Sequence, residues 1–158
     1  MSYHNGSVWP HDNTMIAAGL SRYGLSASIE PIFNGIMHAA SYMEQRRLPE
    51  LYCGFARRRS RGPTLYPVAC SPQAWASGSV FQLMQAILGL EYDLEAKAVR
   101  LRNPAVPMSV GELTVRNLRL GDASISFRVR PQPNGTISLR VLHSTGNIKI
   151  SVVFDAPE

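Results

Sequence analysis

The sequence predicts an α+β fold, with about three helices ahead of an antiparallel β tail. Three observations carry that reading. Apolar residues recur with helical spacing from Trp9 to about Leu90, and from about Val99 they alternate with polar or small residues. The alternating part is also broken by PNGT at Pro133–Thr136 and TGN at Thr145–Asn147, which is hairpin-turn chemistry. The change of period divides the chain into a helical region, 1–98, and a β region, 99–158.

The first helix is expected to start at Asp12 or Asn13 as N-cap, to carry Ile16, Leu20 and Tyr23 on one face, and to stop at Gly24. Ser26 or Ser28 would cap the second, whose Ile29, Ile32, Phe33, Ile36, Met37 and Ala40 form an amphipathic stripe. The third is predicted from Ser71 as N-cap and Pro72 at the first helical position to near Gly89. Its Val80, Phe81, Leu83, Met84, Ile87 and Leu88 cover most of the circumference, which predicts burial on more than one side. Between the second and third helices, RRLPELYCGFARRRSRGPTLYPVA has no helical period. A connection of that length in a compact domain is usually functional or disordered, and Tyr52, Phe55, Leu65 and Tyr66 make it too apolar for simple disorder. Glu91, Asp93 and Glu95 read as a turn after the third helix.

The β region places Leu113 and Val115, then Ile125, Phe127 and Val129, then Ile137, Leu139 and Val141, then Ile148, Ile150, Val152 and Phe154 on one face. Arg128, Arg140 and Lys149 lie on the other. An apolar face of this kind needs a cover, from the preceding helices or from a further part of a larger protein.

Composition narrows the function. Of the 158 residues, 45% are hydrophobic and 17% charged, a globular balance with enough chain for a core. No apolar run approaches the roughly 20 residues of a membrane span. The N-terminus lacks a signal-peptide pattern, so a cytoplasmic protein with no membrane partner is expected. Cys53 and Cys70 are too few for a disulfide scaffold and are expected as buried or partly buried free thiols. The net charge of +5 sits largely in Arg46–Arg47 and in RRRSR at Arg57–Arg61. Without aromatic interleaving or a recognition helix, that is a solvated loop and no nucleic-acid partner is expected.

Phosphate-loop, dinucleotide, zincin and nucleophile-elbow motifs are lacking, and His4, His11, His38 and His143 have no ligand-like pairing. The expectation is no metal and no cofactor. What remains is aromatic and amide-rich. Flat rings suit the C–H faces of a pyranose, and amides, imidazoles and carboxylates suit its hydroxyls. Tyr3, His4, Asn5, Trp9, His11 and Asp12 have that mixture, as do Glu50, Tyr52, Tyr66, Gln73 and Trp75. The alternatives are core packing for the two tryptophans, a helix cap for Asp12 and a surface ion pair with the arginines for Glu50.

The segments YHNGSVWPHDN, RLPELYCGF and YPVACSPQAWA, in this order and spacing, resemble the C-terminal part of bacterial glycogen-debranching-type enzymes of the amylo-alpha-1,6-glucosidase group. The resemblance covers residues 2 to about 90, and LRLGDASISFRV looks like the strand region that follows. More distantly the pattern is similar to neutral invertases and other inverting hydrolases built on a six-hairpin (α/α)6 toroid. The resemblance implies a partial toroid followed by the β tail, with the site on loops at one end of the ring.

The resemblance also implies an inverting glycoside hydrolase acting on α-glucan or a related oligosaccharide. The PE element of that family puts the general base at Glu50, with the aromatic and amide residues above lining the sugar pocket. A second carboxylic acid, roughly 6.5–9.5 Å from the base in inverting enzymes, protonates the leaving oxygen. In the family it comes from earlier hairpins. The chain is therefore expected to be a fragment, inactive alone, with a complementary N-terminal chain as partner. The alternative is a non-catalytic module that self-associates or packs on a partner.

Overall fold

The computed structural model describes residues 2–155. It is an α+β protein with three α-helices and three small sheets among those residues. Two compact units divide the chain: one holds the residues up to Gly19 and Pro31–Met84, the other Leu20–Glu30 and everything from Gln85 onward.

In the first unit a short strand, β1 (Ser7–Val8), leads into α1 (Pro10–Arg22). The helix begins earlier than its apolar pattern indicates. Pro10 occupies the first helical position, where its missing N–H costs nothing, and the Trp9 carbonyl accepts the Asn13 N–H at 3.2 Å and the Asn13 amide at 2.9 Å. Trp9 thus precedes the helix, and Asp12 lies within the first turn, where its charge suits the helix N-terminus. The expected inward face is also corrected. Pro10, His11, Thr14 and Ala17 are buried, while Ile16 and Tyr23 are exposed. A polar stripe can face inward because Thr14 is satisfied: its hydroxyl lies 2.9 Å from the His11 carbonyl and 3.1 Å from Gln82 Oε1. The helix terminates at Gly24 as expected, in a left-handed conformation (φ +72°).

A 3-10 turn at Ser26–Ser28 precedes α2 (Ile29–Ser41). The Ser26 hydroxyl is turned to another use, donating to the Asn103 carbonyl at 2.8 Å. Ile29, Phe33, Ile36 and Ala39 are buried, so the amphipathic stripe was legible apart from Ala39. The long connection that follows is ordered. Its strand β2 (Tyr52–Cys53) pairs antiparallel with β1, Ser7 opposite Cys53 and Val8 opposite Tyr52, and Cys53 N–H donates to the Thr64 carbonyl at 2.8 Å.

The third helix, α3 (Ala74–Leu88), starts two residues after Pro72, with the Gln73 carbonyl accepting the Ser77 N–H at 3.0 Å. Ala76, Ser79, Leu83, Ala86, Ile87 and Leu88 are buried, but Trp75 and Phe81 are 62% and 73% exposed. The prediction of burial on several sides therefore holds only for the C-terminal turns. Gly89 (φ +57°) ends the helix, and a side chain there would collide with the Arg102 carbonyl.

The β part of the second unit is two three-stranded sheets rather than one meander. Strands β5 (Leu113–Leu120), β6 (Ala123–Pro131) and β7 (Ile137–Thr145) form the antiparallel sheet. In the other, β3 (Leu90–Asp93) and β4 (Ala98–Arg102) are antiparallel, and β8 (Lys149–Val153) lies parallel to β4. The PNGT turn is a hairpin, with Asn134 Oδ1 accepting the Thr136 N–H and hydroxyl at 3.1 and 2.7 Å. The TGN turn instead sends the chain across to the other sheet. Glu91 and Asp93 belong to β3, not to a turn, and Asp93 pairs with Arg100 at 2.7 Å.

The apolar face of β6 finds its cover inside this unit. Ile125, Phe127 and Val129 pack in one cluster with Val99 and Leu101 of β4, Leu88 and Val106. No described helix is long and apolar enough to cross a membrane.

Candidate functional site

The β1–β2 pairing builds the site, because it lays the N-terminal segment alongside the segment that carries Glu50. The approach is close: Gly54 N–H donates to the Gly6 carbonyl at 2.9 Å, and a Cβ at Gly54 would collide with that oxygen. On the other flank, Glu50 N–H donates to the Cys70 carbonyl at 2.8 Å and Gln73 N–H to the Leu48 carbonyl at 3.3 Å. Residues 48–50 are therefore clamped by backbone to 70–73, directly before α3.

A chain of rings runs along this junction. Tyr3 stands edge-on to Trp9 at 5.0 Å, to His4 at 4.9 Å and to Tyr66 at 5.7 Å. His4 stacks parallel to Trp9 at 5.6 Å; Trp9 meets His11 edge-on at 5.6 Å; His11 stacks on Trp75 at 3.9 Å. His11 is buried, Tyr3, Trp9, Tyr66, Gln73 and Glu50 are half-buried, and His4, Asn5, Asp12 and Trp75 are exposed. Neither tryptophan is a core residue, which removes the packing alternative for Trp75 in particular.

Glu50 stands within this wall. Its carboxylate accepts a hydrogen bond from the Tyr3 hydroxyl, one from the Cys70 N–H at 3.2 Å and one from the Gln73 amide. The Tyr3 bond is the largest influence. With the Cys70 and Gln73 bonds and the field of His11 it outweighs partial desolvation and holds the carboxyl below its ordinary value. The same bond, with desolvation and the Glu50 charge behind it, pushes the Tyr3 hydroxyl up to about 12. The ion pair with Arg46, Arg47 or the arginine run that the sequence offered for Glu50 is not formed. Hydroxyl and amide donors, which sequence proximity does not reveal, do that work instead.

Asp12 is held by its neighbour, with His11 Nε2 at 3.0 Å. His11 Nδ1 and Gln73 Oε1 are buried and have no hydrogen-bond partner among the described residues. Asn5 keeps to its own turn, where its backbone bonds Ser2, and joins neither the rings nor the carboxylate in any hydrogen bond of the described residues. The Cys70 backbone N–H is the one donor to Glu50 that no sequence signal marks. Both thiols are free, as expected, but Cys70 is exposed rather than buried.

Chemically, the site offers an ionised carboxylate, a wall of aromatic faces and two unsatisfied polar atoms at one junction. No family model matches the chain, and no curated protein matches its sequence.

Proposed function

We propose that this chain is the C-terminal part of an inverting glycoside hydrolase of the debranching type, acting on α-glucan or a related oligosaccharide. Glu50 is the general base, and Tyr3, His4, Trp9, His11, Tyr66, Gln73 and Trp75 line the sugar subsite. The helices then represent one segment of an (α/α)6 toroid. The observation that carries the reading is Glu50 itself: a carboxylate kept ionised by hydroxyl and amide donors, flanked by stacked rings that suit the C–H faces of a pyranose. The orphaned His11 Nδ1 and Gln73 Oε1 supply one nitrogen and one acceptor for sugar hydroxyls.

In this mechanism Glu50 removes a proton from water as the water attacks the anomeric carbon. A carboxylic acid on the opposite face protonates the leaving oxygen. Asp12, the carboxylate on the same wall, is engaged by His11. The acid is assigned to the earlier hairpins of the ring, on a complementary segment.

α-Glucosyl fluoride tests the base alone, because fluoride departs without protonation. The chain is expected to hydrolyse it with release of β-glucose, and Glu50→Gln to abolish this while sugar-dependent quenching of Trp9 and Trp75 fluorescence persists. Equal turnover by the Gln variant, or no response of the native chain to either probe, would sink the assignment.

A second reading, a non-catalytic module that self-associates, is favoured by Met15 and Ile16 on α1 and Phe81 on α3, which are 56–73% exposed. Sedimentation at several concentrations, with and without maltooligosaccharide, distinguishes the two: an oligomer indifferent to sugar supports association.

A further inference from the structure

The arginine-rich loop is more than a solvated excursion. Residues 54–63 leave β2 and return to it, closed by the Cys53 N–H bond to the Thr64 carbonyl and by the Tyr52–Leu65 bridge. Gly62 seats the loop against the Tyr42 ring, where a Cβ would come 2.7 Å from the Tyr42 Cβ. Between the loop and α2 lies a cavity of about 230 Å³, none of whose lining residues belongs to the ring wall around Glu50.

Its lining is of two kinds. Val8, Ala39, Tyr52 and Phe55 are apolar or aromatic, and Arg57, Arg58, Arg61 and His38 of α2 are basic or polar. Arg58 is fixed in place by a hydrogen bond to Thr64 Oγ1 at 2.9 Å, and Thr64 also lines the cavity. Arg57 is close enough to act electrostatically on the side chain of Tyr52, which is buried. Among the described residues, no ion pair involves Arg57, Arg58, Arg59 or Arg61. Three arginines thus line one small space, and among the described residues none of them is in an ion pair.

We propose that this cavity binds a small phosphate monoester, with Arg57, Arg58 and Arg61 on the phosphate and Val8, Ala39, Tyr52 and Phe55 against its organic group. Guanidinium forks match tetrahedral phosphate oxygens in paired hydrogen bonds, and a monoester near neutral pH carries close to two negative charges, which suits several arginines better than one carboxylate does. The volume lies below the about 300–1,000 Å³ of drug-sized sites, which fits a compact ligand. The apolar part of the lining gives a monoester an advantage over inorganic phosphate. A nucleic-acid backbone calls for arginines spread along a face, whereas three of these four gather at one cavity. The site is independent of the chemistry assigned to Glu50.

Calorimetric titration of the chain with glucose 6-phosphate, inorganic phosphate, glucose and a single-stranded oligonucleotide tests the proposal. Glucose 6-phosphate is expected to bind more tightly than phosphate, and glucose not to bind over the same range. Arg58→Ala and Arg61→Ala should each weaken the phosphate ester by about tenfold, the loss of a charge-assisted hydrogen bond. Glu50→Gln should leave it unchanged. Gly35→Leu provides a variant that touches no arginine: Gly35 lines the cavity from within α2, and a Cβ there meets nothing within 4 Å, so the helix keeps its stability while the space fills. This variant should abolish binding by occupying the space. Affinity insensitive to the arginine and Gly35 variants overturns the site. Equal affinity for phosphate and its ester overturns the monoester, and tighter, steeply salt-dependent binding of the oligonucleotide overturns it in favour of nucleic acid.

Discussion

The Tyr3 hydroxyl donates a hydrogen bond to the Glu50 carboxylate, across a junction of segments far apart in sequence. The bond ties the two titrations together. It stabilises the charged carboxylate and opposes loss of the phenol proton, so the Tyr3 hydroxyl ionises at about 12 rather than at its ordinary 10.0. Tyrosinate absorbance, taken as the difference between the native chain and Tyr3→Phe, should show that late ionisation. In Glu50→Gln it should fall back towards 10.0. A Tyr3 titration unchanged by the Gln substitution would contradict the pairing.

The same bond has an acid-side consequence. Glu50 is held below its ordinary 4.5, so its contribution to stability is complete above that pH and is lost as pH falls through the lowered folded value. Melting curves between pH 6 and pH 3 should therefore fall less steeply for Glu50→Gln than for the native chain. Tyr3→Phe should lie between them, because the Cys70 and Gln73 donors remain. Identical slopes for all three would show that Glu50 is not held in this way.

What the sequence disclosed follows from which signals are local. The α2 stripe and the PNGT hairpin rest on periodicity and on Asn–Gly turn chemistry, and both were legible. The inward face of α1 was not, because a hydrogen-bonded Thr14 and a stacked His11 take positions that hydrophobicity would assign to Ile16 and Tyr23. Alternation in β8 showed a strand but carried no information on its partner, and its parallel pairing with β4 depends on a long-range crossover. At the β1–β2 junction the ring-bearing residues stood out in composition, which does not show which of them meet. The donors that tune Glu50 were not legible, since the Cys70 N–H leaves no mark in the side-chain pattern.

Two phenylalanines separate pattern from packing. Phe127 is fully buried at the centre of the sheet cluster, and Phe127→Ala should cost about 3–5 kcal/mol in chemical denaturation. Phe81 has the same apolar character in sequence but is largely exposed on α3, so Phe81→Ala should change stability by roughly 0.5 kcal/mol or less. A comparable large loss in both would mean that Phe81 is covered in solution, which is what the self-associating alternative requires, and dilution would then reduce the Phe81 effect.

Gly54 tests whether the backbone junction makes the site. The position needs no left-handed conformation; what forbids a side chain there is the Gly6 carbonyl, which Gly54 approaches to hydrogen-bond. In Gly54→Ala the two strands must separate, which breaks the Ser7–Cys53 and Val8–Tyr52 register and carries Tyr3 away from Glu50. The cluster of Phe127, Val99 and Leu101 lies wholly in the other unit and has no stake in that register. The variant should therefore keep its sheet signature in circular dichroism while Tyr3 ionises close to its ordinary 10.0 and sugar-dependent tryptophan quenching disappears. Retention of the late Tyr3 ionisation in Gly54→Ala would show that the Tyr3–Glu50 bond does not depend on the β1–β2 pairing, and the site would have to be held together by the rings alone.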